Sequence, residues 1–485
     1  MKLKVQTYLP LLATNTIFFL IGLILANALT FITFPILARG LSTSDFGIFD
    51  LFASISILIN TFFAFGIDSA VGRYFHEIDN VDQQRKVVSE ALVLQTIFII
   101  TIGASLFLMA EQFIGYLTTN ELFVTLLRLS IAQAAFQTIL NFALSLLKWS
   151  FEKWKFIVLS VASSGLSLCL TTIAIYGLNA DLCGVFESVV VARVVSAVFG
   201  LYLIRNLLEH YKITFEFNGR LIRYAIPIGV VCVMEISVPT IERNFILELV
   251  GAEQLGQYSA AAKFVSILMV VTQAFQAAWG PLSLSIRKLE VADQTYSLAV
   301  KVFVLSICLS ALLMTYFGKF ALILVASDRY EDAYILVFPM AMSVAIHSTG
   351  MILGLGIQIS LRSHYQIISQ GVFIVVAVIL VRYLTIYFGI IGAAIAVLIS
   401  IGIRTLTLSV LSEYAYPIKW PFLSICSTFF ATLLIGSSLT FLLINFGQSI
   451  SGAFVFFSIL VMTYGSWHLS LSSNERLLLC ALLRR

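Results

Sequence analysis

The sequence has little charge and no long polar segment. Only 11% of its 485 residues are Asp, Glu, Lys or Arg, whereas a soluble domain has about 25%. Hydrophobic residues make up 60%, which excludes a soluble globular protein and indicates a protein that crosses the membrane many times. The longest stretches between apolar runs, 68–88 and 205–223, are too short for an aqueous domain. Any function must therefore reside among the helices.

Cysteine is scarce and scattered. The 6 Cys residues lie mostly within apolar runs, which argues against a disulfide framework and against a metal site. The chain also lacks a cluster of carboxylates beside a large loop, which a membrane polymerase or glycosyltransferase would need. We therefore expect no catalytic residues, no metal and no cofactor. The net charge of +4 bears on which loops face the cytoplasm, and we expect no nucleic acid partner.

Apolar runs of about 20 residues, the length of a helix that crosses a bilayer, are abundant. They predict an all-α integral membrane fold with about fourteen transmembrane helices. The predicted limits are 12–36, 47–67, 89–110, 122–147, 156–177, 184–204, 224–249, 257–280, 297–318, 333–357, 366–386, 390–411, 422–445 and 450–470. The joint near Gly389 is so short that the helices on either side are hard to divide.

The distribution of Lys and Arg tests this topology. With both termini in the cytoplasm, nineteen of the 29 Lys and Arg residues lie in cytoplasmic segments and four in outer segments. Positive residues favour the cytoplasmic side of a membrane, so the asymmetry supports the predicted orientation. The first apolar run is much longer than the core of a signal peptide, and we expect it to be retained as a span.

The chain contains an internal repeat. The segment 46–49 matches 255–258 and the segment 156–160 matches 365–369, both at an offset of 209 residues. Each repeat holds six spans, so the halves should share one orientation and be related by a pseudo-twofold axis along the membrane normal. We predict a lobe at 1–210, a second lobe at 211–415, and two further helices with a short tail at 416–485. A central cavity and rocking of the lobes follow as expectations.

The stretch 227–263 carries ionisable residues inside apolar segments. Arg243 and Lys263 each stand ten residues from Glu253, so a helical hairpin would place both cations about 10–15 Å from its turn. Glu235 and Glu242 lie in the same stretch. A charge in the membrane costs at least about 2.5–3.5 kcal/mol and is retained for a partner, a wet cavity or a substrate. The first half has no matching cations at the offset of 209, so an anion site in the cavity would be formed mainly by the second half.

Three short stretches resemble a known family. They are 37–47, 66–75 and the pair Glu242-Arg243 followed by 255–263. These stretches resemble the O-antigen and polysaccharide repeat-unit flippases of the multidrug/oligosaccharidyl-lipid/polysaccharide exporter superfamily. The resemblance implies translocation of an undecaprenyl-pyrophosphate-linked oligosaccharide from the cytoplasmic to the outer leaflet of a bacterial inner membrane. It also implies membrane lipids, a polysaccharide polymerase and a chain-length regulator as partners.

Against this background each ionisable residue has a functional and a structural interpretation. Arg243, Lys263, Arg128 and Arg193 are candidate cavity cations that bind the substrate headgroup. The alternatives are pairing of Arg243 with Glu242 or Glu235, snorkelling of Lys263, and structural roles for the other two. Arg73 either receives the pyrophosphate or anchors the cytoplasmic end of span two.

The acidic residues of the same stretch suggest coupling. Glu235 and Glu242 are candidate coupling residues for H⁺ or Na⁺, and the alternative for Glu235 is a packed, hydrogen-bonded acid. A cation-coupled multidrug exporter of the same superfamily is the alternative function. It would favour twelve spans and an acid-rich cavity.

Overall fold

The structure is a computed structural model, and it describes residues 2–78, 80–115, 120–208, 218–287, 292–360, 362, 364–446, 454, 455 and 458. The chain divides into two compact units, Met1–Asn244 and Phe245–Arg485, here called the first and second unit. The boundary between them falls within a long helix. The predicted lobes 1–210 and 211–415, and the axis that relates them, stay predictions.

The helices are numbered in chain order. Those that begin in the first unit are α1 (Lys2–Gly40), α2 (Thr43–Ala64), α3 (Ile67–Glu77), α4 (Val81–Leu108), α5 (Ala110–Gly115), α6 (Glu121–Trp149), α7 (Lys153–Thr172), α8 (Leu182–Ile204) and α9 (Asn218–Val250). Those of the second unit are α10 (Ala252–Val265), α11 (Ile267–Ile286), α12 (Ala292–Val325), α13 (Tyr334–Leu353), α14 (Leu355–Ser360), α15 (His364–Ala415) and α16 (Phe422–Phe446). Short π or 3₁₀ turns occupy Ile173–Gly177, Arg205–Leu207 and Asp328–Ala333.

Twelve helical segments of the described residues are long and apolar enough to cross a membrane. All predicted spans except 450–470 coincide with helices, and α15 contains two of them. Gly389 breaks α15 with φ 59° and ψ −144°, a backbone conformation open to glycine and costly for other residues. The predicted all-α membrane fold is confirmed. The span at 450–470 and the tail after it lie outside the described residues, apart from three positions.

Polar side chains fix the starts of four helices in the first unit. The side chains of Ser42, Asn80, Asn120 and Asp181 accept hydrogen bonds from backbone N–H groups at the starts of α2, α4, α6 and α8. The first N–H groups of a helix have no partner inside the helix, so each cap satisfies a donor that would otherwise be unpaired. The loops between spans thus define where the neighbouring helices begin.

Large apolar side chains cover much of the molecular surface. Leu108, Leu178, Leu406 and Leu423 are all more than 60% exposed. Such exposure would be unfavourable in water and is expected where lipid surrounds the protein. The protein is therefore a multi-pass membrane protein.

A close backbone contact shapes the interior of the first unit where α2 turns into α3. Phe65 and Gly66 have φ values of 35° and 76°, so the chain bends between the two helices. A Cβ atom at Gly66 would lie 2.6 Å from the carbonyl oxygen of Ala225, and one at Gly229 would lie 2.7 Å from that of Phe65. The bend therefore packs directly against the backbone of α9, and it directs the start of α3 toward the cavity described next.

Candidate functional site

A polar cavity of about 470 Å³ lies within the first unit. Helices α1, α3, α6, α7 and α8 all contribute to its wall. Its polar lining residues are Thr30, Asp68, Gln137, Asn141, Ser145, Lys148, Ser160, Ser163, Ser164 and Arg193. Two further cavities of this unit, of about 390 and 450 Å³, are lined almost wholly by apolar side chains. Of these three cavities, the polar cavity is the one suited to a polar ligand.

Three charged side chains from three helices line the polar cavity. Asp68 lies in the first turn of α3, Lys148 in the last turn of α6, and Arg193 in the middle of α8. Within the described part of the chain, none of the three forms an ion pair. The Nε atom of Arg193 and the Oδ1 atom of Asp68 are buried and have no hydrogen-bond partner.

One face of α6 carries a row of polar side chains that line the cavity and end at Lys148. Gln137, Asn141, Ser145 and Lys148 follow one another at intervals of three or four residues and so share one face of the helix. The Nε2 atom of Gln137 donates to the Oδ1 atom of Asn141 at 2.7 Å, which orients both amides. The remaining amide donors and acceptors suit a ligand with many hydroxyl or amide groups.

The charges that line the cavity favour an anion over a cation as a ligand. Two cations face one carboxylate, so the cavity holds one excess positive charge. A guanidinium without a counter-ion in a partly dehydrated cavity is costly unless water or a ligand hydrogen-bonds to it. Arginine also presents a planar pair of donors that matches phosphate and carboxylate oxygens. Arg193 therefore has the charge and the donor geometry that an anionic group would need, and its role in binding stays a prediction.

Arg243, which the sequence predicts to bind the substrate headgroup, forms a buried ion pair. Its Nε atom lies 2.6 Å from the Oδ2 atom of Asp50 on α2, and its Nη1 atom donates to the Pro239 carbonyl at 3.0 Å. The Asp50 side chain is 3% exposed and that of Arg243 is 13% exposed. Structural pairing was considered only with Glu242 or Glu235. Asp50 was missed although it lies inside the predicted span 47–67, where an ionisable residue calls for a partner.

Glu242 lies beside this ion pair and is 6% exposed. The carboxylates of Asp50 and Glu242 both interact with the positive charge of Arg243. The cluster thus contains two acids and one cation in an interior that disfavours net charge.

The structure places the other predicted cations of the first unit outside the polar cavity. Arg128 contacts Glu111 at 2.8 Å and lies over the ring of Phe107. Arg73 is half exposed, contacts Glu77 at 3.0 Å, and lies over the Tyr224 ring. Arg128 therefore has an acidic partner on α5, Glu111, that sequence reasoning did not identify. Binding of substrate by Arg73 or Arg128 stays a prediction.

The remaining candidates, Lys263 and Glu235, lie in different units. Lys263 lies in the last turn of α10 and is exposed, and the turn before α10 is formed by Gly251 with φ 91°. Arg404 contacts His347 with an Nη1 to Nδ1 distance of 2.8 Å, which links α15 to α13. Glu235, on the part of α9 that belongs to the first unit, is partly buried. The predicted roles of Lys263 and Glu235 stay predictions.

Comparison with known proteins gives one family match. The family described as "Polysaccharide biosynthesis protein" matches residues 12–287, which include the whole first unit from residue 12 onward. Comparison with curated protein sequences gives no match.

Solved structures show the same fold. A lipid II flippase MurJ in an inward closed conformation superposes with a TM-score of 0.70 at 14% identity, over 92% of this chain and 98% of that one. An inward-facing multidrug resistance MATE family transporter of the MOP superfamily gives 0.62 at 17% identity, over 80% and 93%. The Vibrio cholerae MATE transporter VcmN, solved as a mutant, gives 0.61 at 15% identity, over 83% and 96%. At these identities the likeness shows the fold alone.

Proposed function

Because this chain belongs to the polysaccharide biosynthesis protein family, we propose that it is a flippase for a lipid-linked oligosaccharide. Its proposed substrate is a repeat unit of O-antigen or a related polysaccharide, attached to undecaprenyl pyrophosphate. The protein would move the headgroup from the cytoplasmic to the outer leaflet of a bacterial inner membrane, without catalysing a covalent reaction. A polysaccharide polymerase and a chain-length regulator are the proposed partners downstream.

The polar cavity of the first unit is the observation that supports this proposal. Its lining combines Arg193 and Lys148, which suit phosphate oxygens, with amides and hydroxyls, which suit sugars. A headgroup that crossed hydrocarbon unaided would leave its charges and hydroxyls without partners. The isoprenoid chain needs no polar path and can remain in lipid. A negative-inside potential favours outward movement of negative charge by about 2.3 kcal/mol per charge per 100 mV.

Alternating access and ion coupling complete the proposed mechanism. Rocking of two lobes would expose the headgroup site first to one side of the membrane and then to the other. The cluster of Asp50, Glu242 and Arg243 has one acid more than it has cations, so H⁺ or Na⁺ would neutralise it. We propose Glu242 as a coupling acid on this basis, and the partly buried Glu235 of the same helix as a second one.

The proposed orientation places both termini in the cytoplasm. Reporter domains fused after Arg85 and after Glu253 should then report cytoplasm and exterior, respectively, because positive loops are retained inside. Alkaline phosphatase and a fluorescent protein, which are active on opposite sides of the membrane, provide the measurement. The reverse pattern would contradict the topology.

Transport itself can be measured in reconstituted vesicles. Vesicles that contain a fluorescent undecaprenyl-pyrophosphate oligosaccharide and the purified protein should let a membrane-impermeant quencher reach nearly all of the label. Protein-free vesicles should expose only the outer leaflet, about half of it, because a charged, hydroxyl-rich headgroup crosses hydrocarbon slowly. Equal quenching in both preparations, with the protein shown to be folded, would contradict flippase activity.

A cation-coupled exporter of small molecules, such as a multidrug exporter, is the second candidate. The MATE structures among the neighbours favour it at the level of the fold. The charges of the polar cavity argue against it, because a cationic drug would meet two cations and one acid. Competition of lipophilic cations against the labelled oligosaccharide in the same vesicles distinguishes the two.

A further inference from the structure

Asp68 is the one acid among the charged residues that line the polar cavity. Asp68 lies two residues after the bend at Gly66, at the start of α3, and lines the cavity. The Oδ1 atom of Asp68 is buried and accepts no hydrogen bond. An acid in this position is not needed to bind a phosphate, and it opposes the binding of any anion.

The groups around Asp68 belong to four other helices. Lys148 of α6 supplies a positive charge, and Gln95 of α4 is a neutral polar neighbour. Arg193 of α8 lines the same cavity. Helix α4 also carries the buried Glu90. Glu90 precedes Gln95 by five residues, which corresponds to about 140° around the helix axis, so the two side chains lie on different faces of α4. Helix α9 contributes backbone atoms of Ala225 and Gly229 beside Gly66.

These charges compete with one another. When Asp68 is ionised, it offsets one of the two cations and the cavity holds a single excess positive charge. When Asp68 is protonated, both Lys148 and Arg193 act on a ligand and the excess is two charges. An oxyanion that enters the cavity in turn disfavours the ionised form of Asp68, because like charges at short range repel.

We propose that Asp68 is the resident counter-ion of this cavity, and that an anionic headgroup binds together with a proton taken up by the Asp68 carboxylate. This inference rests on the proposed function, because it concerns the same cavity. The proton comes from water and stays on Asp68 until the headgroup leaves. The anion is either the pyrophosphate of the lipid carrier or the carboxylate of an acidic sugar.

The acidity of Asp68 sets the pH range of the effect. Asp68 lies between the apolar spans Thr43–Ala64 and Val81–Leu108. Burial raises the pKa of its carboxyl to about 6, although Gln95 and Lys148 act in the opposite direction. Below that pH the carboxyl is neutral and the anion binds more tightly. As the pH rises through about 6, the carboxylate forms and competes with the ligand, so affinity falls.

Binding of small anions to the purified full-length protein in detergent tests the linkage. UDP-glucose carries a pyrophosphate diester and glucuronate carries a carboxylate, and neither changes its charge between about pH 5 and about pH 8. With the anion that matches the substrate, affinity should be about tenfold higher at the lower pH, as expected for a shift of about one pKa unit. The probe that shows this dependence identifies the source of the anion.

Variants of Asp68 sharpen the test. Asp68→Asn should bind tightly at both pH values, and Asp68→Glu should retain the pH dependence. Asp82→Asn, which changes an exposed acid that pairs with Arg85, is the matched control and should behave as wild type. The wild-type pH profile needs no variant, so the test remains decisive if Asp68→Asn does not fold.

The outcomes separate this inference from the proposed function. If wild type binds UDP-glucose or glucuronate with the same affinity at both pH values, the role of Asp68 is overturned while the headgroup site stands. If neither probe binds at either pH, both the inference and the assignment of the cavity are overturned. A pH dependence that persists in Asp68→Asn also overturns the role of Asp68.

Discussion

Replacing Arg243 by leucine should destabilise the protein by about 3–5 kcal/mol, the range typical for breaking a buried ion pair. The substitution removes the cation that lies 2.6 Å from Asp50 and leaves that carboxylate buried at 3% exposure. Thermal unfolding of the purified protein in detergent measures the loss.

Two controls make this prediction specific. Replacing both Arg243 and Asp50 by leucine should recover much of the lost stability, because no unpaired charge then remains from the pair. Arg73→Leu removes a cation from a half-exposed pair and should cost only about 0–1 kcal/mol. If Arg243→Leu is no more destabilising than Arg73→Leu, the ion pair with Asp50 is not a structural element.

Replacing Arg193 by glutamine should weaken binding of the headgroup by roughly 10- to 100-fold, the equivalent of a lost charge-assisted hydrogen bond of about 1.5–3 kcal/mol. The substitution keeps a polar side chain of similar reach but removes the charge and the paired donors. Flipping in the vesicle assay should fall accordingly at limiting substrate. Arg193→Lys should retain part of the activity, because lysine keeps the positive charge but lacks the planar pair of N–H donors of a guanidinium group.

Arg205→Gln is the matched control for this substitution. Arg205 follows α8 directly, but it lies over the ring of Tyr202 and is exposed, away from the cavity. Its loss should leave flipping nearly unchanged. Full transport by a folded Arg193→Gln protein would remove Arg193 from the binding site.

The transmembrane spans could be predicted because a single segment in a bilayer has only one way to satisfy its backbone hydrogen bonds. Only a helix satisfies every backbone group of a single segment in hydrocarbon, so an apolar run of sufficient length determines its own structure. The joint at Gly389 was found for the same reason, since glycine between two apolar runs permits the backbone to turn.

The site was harder to predict, because it depends on which side chains meet across helices. Arg193 was identified because a charge inside a span stands out. Its neighbour Asp68 was missed because it lies outside the apolar spans. Binding of substrate by Arg243 stays a prediction, and its partner Asp50 was missed because it lies 193 residues away in the chain. Comparison of the two halves favoured an anion site in the second half, whereas the polar cavity described above lies in the first unit.

The bend at Gly66 restricts how α9 can move against α2. The backbone of Phe65 and Gly66 packs there against the backbone of Ala225 and Gly229. If α9 shifted lengthwise by one turn, Val233 or Ala225 would replace Gly229 beside the Phe65 carbonyl, and neither leaves room for it. A shear of these two helices is thereby blocked, whereas tilting about the contact, or complete parting, is sterically free. The contact between Gly66 and Gly229 would then be the fixed point about which α9 tilts against α2.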